Sequence, residues 1–234
     1  MRKLFGLLLL LLAVSSCEED TNMIIHTPQR IHLYPGEQKQ IEAESSQKIQ
    51  YSSLNDYYAS VDENGLVTAR YVGDTQVRLS TSAVKEFIQV SVIPRYTLYV
   101  EPYYEFPSTR YAVEKMYGEP YKEEDNCLVY ETLDVEASKY FYFCFDDEDN
   151  LLASVATITE GNEEELGKFL AERYVTVNQE EFIYRNTLEV TDETVEIRSF
   201  YSDKYGSRVV VYAPYGTDFD TFKTFAEPLK YCKK

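Results

Sequence analysis

Between Ile24 and Ile93 the apolar residues alternate with polar ones in short runs, and a turn signal closes each run. This feature constrains the fold most: a period of two buries one face of a strand and leaves no apolar stripe for a helix. Ile31-His32-Leu33-Tyr34 runs into Pro35-Gly36-Glu37, where proline fixes φ and ends the strand. From Gln38 to Ala43, Ile41 and Ala43 face one way, and Gln40 and Glu42 the other. The Glu63-Asn64-Gly65 turn leads into Leu66–Ala69, Asn-Gly being a hairpin signal because both residues tolerate positive φ. Gly73-Asp74 precedes Gln76–Ser80, and a last strand runs from Phe87 to Ile93 and stops at Pro94. Six or seven short strands in roughly 70 residues predict a β-sandwich over residues 24–94.

Several segments here resemble a known family in order: Tyr51-Ser52-Ser53-Leu54-Asn55, Ala59-Ser60-Val61-Asp62, Asn64-Gly65-Leu66-Val67-Thr68-Ala69 and Gly73-Asp74-Thr75, with Leu33-Tyr34-Pro35-Gly36-Glu37 upstream. They look like the bacterial immunoglobulin-like domain, group 2. The resemblance implies a spacer or adhesive module of bacterial surface proteins, without catalysis. Tyr51 departs from the pattern, since the family usually has Trp there, and a buried Tyr needs a partner for its hydroxyl.

Residues 95–234 read as an α+β domain. Ser108-Thr109 can cap a short helix with Tyr111, Ala112, Val113 and Met116 on or near its buried face and Gly118 as its stop. Strands are expected at Cys127–Thr132, Lys139–Phe145 and Leu151–Ile158. A second helix follows from Glu163 to Tyr174, capped by Asn162, with Leu166, Phe169, Leu170 and Tyr174 on one face. Three more strands are expected at Glu181–Asn186, Thr194–Tyr201 and Ser207–Ala213. The two helix starts lie 54 residues apart, as do two pairs of strand starts, and the last pair is 56 apart. This spacing suggests a duplicated αβββ unit sharing one antiparallel sheet, with coincidence as the alternative because side-chain identity between the halves is low. Phe219, Phe222, Phe225 and Leu229 outline a final helix laid against the core, its length limited by Pro228.

In Tyr140–Phe145, Phe141, Phe143 and Phe145 share one strand face, and Tyr140, Tyr142 and Cys144 the other. A symmetric hairpin with the preceding strand places Leu128 opposite Phe143, Tyr130 opposite Phe141 and Cys127 opposite Cys144. Opposed strand residues have Cα separations of about 4.5 or 5.5 Å, within reach of a disulfide. Cys127–Cys144 is therefore a candidate cross-strand bond, two buried free thiols being the alternative, and Cys232 is left over.

The first residues carry an address. Met1-Arg2-Lys3 precedes an apolar run from Leu4 to Val14, about the length of a secretory signal core and too short to span a bilayer. Ala13-Val14-Ser15-Ser16-Cys17 resembles a bacterial lipobox, with Val14 where Leu is commonest. The resemblance implies a signal peptide over residues 1–16, cleavage before Cys17 and lipidation of Cys17, whose acyl chains would hold the protein to a membrane. Glu18-Glu19-Asp20, in an acidic tether over residues 17–23, resembles the export signal that sends Bacteroidetes lipoproteins to the outer face of the outer membrane. An ordinary solvated linker is the alternative.

Charge excludes one class of partner. Lys and Arg number 23 against 40 Asp and Glu, a net charge of −17, and loss of Arg2 and Lys3 with the signal peptide takes it to −19. Such a chain repels phosphate backbones, so no nucleic-acid partner is expected. No metal or other cofactor is expected either. With two His and four Cys the chain is short of ligands, and Asp146-Asp147-Glu148-Asp149-Asn150 fails as a calcium loop, since it lacks the required Gly and position twelve from Asp147 is Ile158. Both histidines lie in the sandwich, and no nucleophile elbow or phosphate loop occurs, so no catalytic residues are expected and the chain is not expected to be an enzyme. Among 22 Tyr and 12 Phe, the group Tyr103, Tyr104 and Phe106 sits in an expected loop and is a candidate binding surface for a protein or a glycan. Tyr57-Tyr58 and Tyr201 with Tyr205 are similarly placed. The expected role is adhesion or protein interaction at the cell envelope, with the Ig-like module as spacer. The alternative is an accessory glycan-binding lipoprotein of a polysaccharide-uptake system.

Overall fold

A computed structural model describes residues 22–132 and 137–223 of the 234. Cys17 with its flanking signal and tether residues, Cys232, Phe225 and Leu229 lie outside the described residues.

The chain is mainly β. The first nine strands are β1 (Met23–Ile25), β2 (Arg30–Leu33), β3 (Gln38–Gln40), β4 (Ala43–Ser45), β5 (Gln50–Ser53), β6 (Ala59–Val61), β7 (Leu66–Ala69), β8 (Gly73–Ser80) and β9 (Lys85–Val92). They form a four-stranded sheet in the order β2-β9-β8-β5, a three-stranded sheet β3-β7-β6 and the pair β1-β4. β2 runs parallel to β9, with Ile31 opposite Val90 and Leu33 opposite Val92, and the other pairs are antiparallel. Alternation along the strands delivers Val77 and Leu79 from β8, Ile88 and Val90 from β9, and Val67 from β7 to one buried core. Gly65 closes the hairpin before β7 at φ 83°, and a Cβ there would come within 2.9 Å of the Tyr51 ring. Tyr51 is only half-buried, which eases the need for a hydroxyl partner.

The remaining elements are α1 (Arg110–Tyr117), β10 (Lys122–Glu124), β11 (Cys127–Glu131), β12 (Tyr140–Phe145), β13 (Leu151–Ile158), α2 (Glu163–Ala171), β14 (Val175–Asn178), β15 (Ile183–Arg185), β16 (Val195–Ser202) and β17 (Ser207–Pro214), followed by a 3-10 turn at Phe219–Phe222. Eight strands form one antiparallel sheet in the order β10-β11-β12-β13-β17-β16-β15-β14. Each half is thus an αββββ unit, one strand longer than the αβββ unit expected. The extra strands, β10 and β14, sit at the two edges. An edge strand with no core face needs no apolar alternation, and all three residues of β10 are exposed. The halves meet at β13 and β17, both eight residues long. Val155 and Val211 are each the fifth residue of their strand, and they lie directly opposite one another. A local two-fold axis therefore passes between them.

Both helices cover one face of the sheet. Thr109 caps α1 by accepting from the Ala112 amide, and Gly118 ends it at φ 79°. The buried side of α1 is narrower than expected: Val113 is buried and Tyr117 packs beside it, whereas Tyr111 and Met116 point to solvent. Helix α2 buries Leu166, Phe169 and Leu170, and Tyr174 follows them into the core. Asn162 does not cap α2 with its side chain, which donates instead to the Thr159 carbonyl at 3.2 Å. Phe141, Phe143 and Phe145 meet the helices, and each such buried ring contributes roughly 1.5–3 kcal/mol. A register shift between Cys144 and Phe145 turns Leu151 to this same face. On the opposite face Phe219 and Phe222 pack over a second apolar layer that includes Val155, Val209 and Val211.

Candidate functional site

The β11–β12 hairpin has the register expected from sequence: Leu128 opposite Phe143, Tyr130 opposite Phe141 and Cys127 opposite Cys144. Cys127 and Cys144 form a disulfide, with S–S 2.11 Å and Cα–Cα 4.0 Å. The bond lies on the face away from the helices, and both sulfur-bearing residues are buried.

Tyr103, Tyr104 and Phe106 are not a free binding surface. All three are half-buried against the helix-side core. The Tyr103 amide donates to the Tyr117 hydroxyl at 2.9 Å, its hydroxyl lies 3.0 Å from Ser108 Oγ, and its carbonyl accepts from Ser154. Tyr104 stacks on Tyr212 with ring centroids 4.9 Å apart. Sequence could identify the loop but not its cover, because the residues that claim these rings lie up to 108 positions away.

The same loop carries Glu101 into a cage of tyrosines. Glu101 Oε1 accepts from the hydroxyls of Tyr174 and Tyr212, the latter at 3.1 Å, and Arg173 Nε lies 3.5 Å from Oε2. The Tyr99 hydroxyl is 2.6 Å from that of Tyr212, and the Tyr104 hydroxyl is 2.9 Å from that of Tyr174. Burial pushes the Glu101 carboxyl above the usual carboxylate range, against the opposing pull of Tyr174, Arg173 and Tyr212. Burial, reinforced by the Glu101 charge, pushes the Tyr104 hydroxyl up to about 12. Tyr99, Tyr174 and Tyr212 are raised well above 10, first by burial, and all remain protonated donors at physiological pH.

Next to this cage the end of α2 meets the sandwich. Tyr57 donates its hydroxyl to the Arg173 carbonyl at 2.6 Å and stacks on Tyr71 at 4.6 Å. The Val72 amide donates to the Glu172 carbonyl at 2.8 Å, and the Glu172 carboxylate accepts from the Arg95 and Tyr96 amides at 2.9 and 3.1 Å. Tyr58 packs on Gly73, whose missing Cβ would fall 2.3 Å from the ring. The Tyr57-Tyr58 pair therefore serves this junction. The Tyr57 hydroxyl, the Val72 amide and the Glu172 carboxylate are paired within the chain, and the arrangement fastens one part of the protein to another.

A raised carboxyl pKa has a definite sign for stability. The folded state holds the Glu101 proton more tightly than the unfolded chain, so this contribution is complete below the unfolded value near 4.3 and is lost as pH rises through the higher folded value. Glu101→Gln keeps an acceptor for the tyrosines and cannot ionise. Urea unfolding at pH 4 and pH 7 should show wild type losing stability relative to Glu101→Gln as pH rises, and an equal difference at the two pH values would refute this.

Asp146–Asn150 forms the turn between β12 and β13. Asp146 Oδ1 accepts from the Glu148 and Asn150 amides at 2.9 and 2.8 Å, and Asp149 adopts φ 62°. Among the described residues no group of three or more His, Cys, Asp or Glu side chains is placed to hold a metal. His26 pairs with Glu44 at 3.3 Å on the surface.

A cleft of about 180 Å³ opens on the disulfide side of the sheet. Lys122 and Glu124 of β10, Asp125, Tyr142 of β12, and Lys204 and Tyr205 from the turn between β16 and β17 form its walls, with Cys127 beside them. Tyr205 thus contributes to a concave surface, whereas Tyr201 is simply exposed.

Residues 33–86 match the family model of the bacterial Ig-like domain (group 2), within the stretch that folds as β-strands 2 to 9. Among solved structures the chain is similar to an intimin mutant of EHEC O157:H7, with 18% identity, coverage of 50% of this chain and 75% of that one, and a TM-score of 0.24. It is also similar to domains 4–9 of the surface layer protein SbsC, with 10% identity, 83% and 27% coverage and a TM-score of 0.28. For domains 1–6 of SbsC the values are 11% identity, 82% and 22% coverage and a TM-score of 0.25, so the chain spans about a quarter of those two SbsC structures. A search of curated proteins found no match.

Proposed function

We propose that this chain is a non-catalytic adhesion or interaction protein of the bacterial cell surface, held to the outer membrane through lipidated Cys17. The observation that carries the reading is the bacterial Ig-like match at residues 33–86, in a stretch folded as paired β-sheets around a single core. The signal-like segment before Cys17 and the acidic triplet after it support an exported, anchored and outward-facing protein. In this reading the Ig-like module holds the eight-stranded sheet away from the membrane, and the bonds from Val72, Arg95 and Tyr57 to Glu172 and Arg173 make it a stiff spacer. A strongly acidic surface suits a partner that is a protein or an uncharged glycan and opposes nucleic acid.

The test is radiolabelled palmitate incorporation together with protease shaving of intact cells. A palmitate-labelled band that shaving removes supports the reading. A labelled but protected band would turn the protein toward the periplasm, and absence of label, also in comparison with Cys17→Ala, would refute the anchor. A specific feature, the cleft beside the disulfide, favours glycan as the ligand class.

A further inference from the structure

We propose that the cleft between β10 and the turn joining β16 to β17 binds one neutral sugar ring. Its charged groups balance, two lysines against two carboxylates, in a chain whose net charge is −17. A balanced wall neither attracts nor repels a neutral ligand, and it offers such a ligand both donors and acceptors. Lys122 is bonded to Glu124. Lys204 Nζ and Asp125 Oδ2 stand 3.8 Å apart, beyond hydrogen-bond distance. A sugar hydroxyl between those two atoms can accept from the ammonium and donate to the carboxylate. Tyr142 and Tyr205 supply the apolar side, their rings packed on one another with centroids 4.6 Å apart and planes tilted by 59°, an apolar wall for the C–H face of a pyranose. The Tyr205 hydroxyl is buried in this wall without a hydrogen-bond partner, and burial keeps it protonated, so it is an unmet donor that a ligand hydroxyl would satisfy on displacing the ring slightly. At about 180 Å³ the cleft is below the roughly 300–1,000 Å³ of sites for drug-sized molecules and suits a single ring.

This inference rests on the reading of the chain as a binding protein and names the ligand class and the place. The probes are free glucose, galactose, mannose and N-acetylglucosamine and a neutral oligosaccharide of each, titrated against the mature chain by saturation-transfer NMR. Saturable binding with Kd on the order of 1–10 mM is expected for at least one free sugar. Lys204→Met and Tyr205→Phe should each weaken it roughly tenfold, with thermal melting showing both variants folded. Tyr111→Ala, on the helix side, should leave it unchanged. A signal from oligosaccharides and from no free sugar would overturn the single-ring site. So would binding indifferent to both cleft variants, or no saturable signal from any neutral sugar. The shaving experiment reads surface exposure independently, so either result can fail without the other.

Discussion

Replacing Phe143 with alanine is expected to cost about 3–5 kcal/mol, a fifth or more of the stability of an ordinary domain. The ring is fully buried at the centre of the helix-side core, with the Tyr117 ring centroid 4.9 Å away and that of Tyr130 5.7 Å away. Truncation removes the ring's transfer energy and leaves a cavity that β12, held between β11 and β13, cannot close. Urea unfolding should show the full loss, and melting should fall by about 6–20 °C for a chain of this size. Phe87→Ala, at a position 45% exposed, should stay within about 0.5 kcal/mol of wild type. A Phe143→Ala loss below about 1.5 kcal/mol would mean that the core had relaxed or that the ring is not buried as described.

Removing the Cys127–Cys144 bond by a double substitution to serine is expected to cost about 3 kcal/mol. The two residues lie 17 positions apart in sequence, and the bond denies the unfolded chain the entropy of opening that loop. Reduction of the wild-type protein should reproduce the loss. Alkylation of denatured, unreduced protein should leave Cys127 and Cys144 unlabelled, and labelling of both would remove the bond from the account. The loss should not add simply to that of Phe143→Ala, because Phe143 and Cys144 are adjacent on β12 and a shift of that strand is felt on both faces.

What the sequence makes legible here is local pattern. The β11–β12 register followed from treating the two runs as a symmetric hairpin, and alternation fixed which face takes Phe141, Phe143 and Phe145. The sandwich strands followed from period two and their turns. The outer strands β10 and β14 were missed because each is short and one is wholly charged. The tyrosines misled for a different reason. Exposure of Tyr103 and Tyr104 is decided by Tyr117, Tyr174 and Tyr212, and the bonds to Glu101 span 73 and 111 residues. The cleft is likewise nonlocal, joining Lys122 and Tyr142 to a turn that follows more than 60 residues later. A single chain's residue order carries no mark of that meeting.

The rims of the eight-stranded sheet bear on how the protein avoids pairing edge to edge with copies of itself. Each rim carries backbone groups that could template a foreign strand. At β10 an incoming strand would have to strip water from Lys122, Glu123 and Glu124, all exposed. At β14 the register shift between Thr176 and Asn178 breaks the ladder after two residues, although Val177 is exposed. Charge stops strand-by-strand growth at one end and broken spacing stops it at the other. A sheet this wide can thus stay solitary without being closed into a barrel.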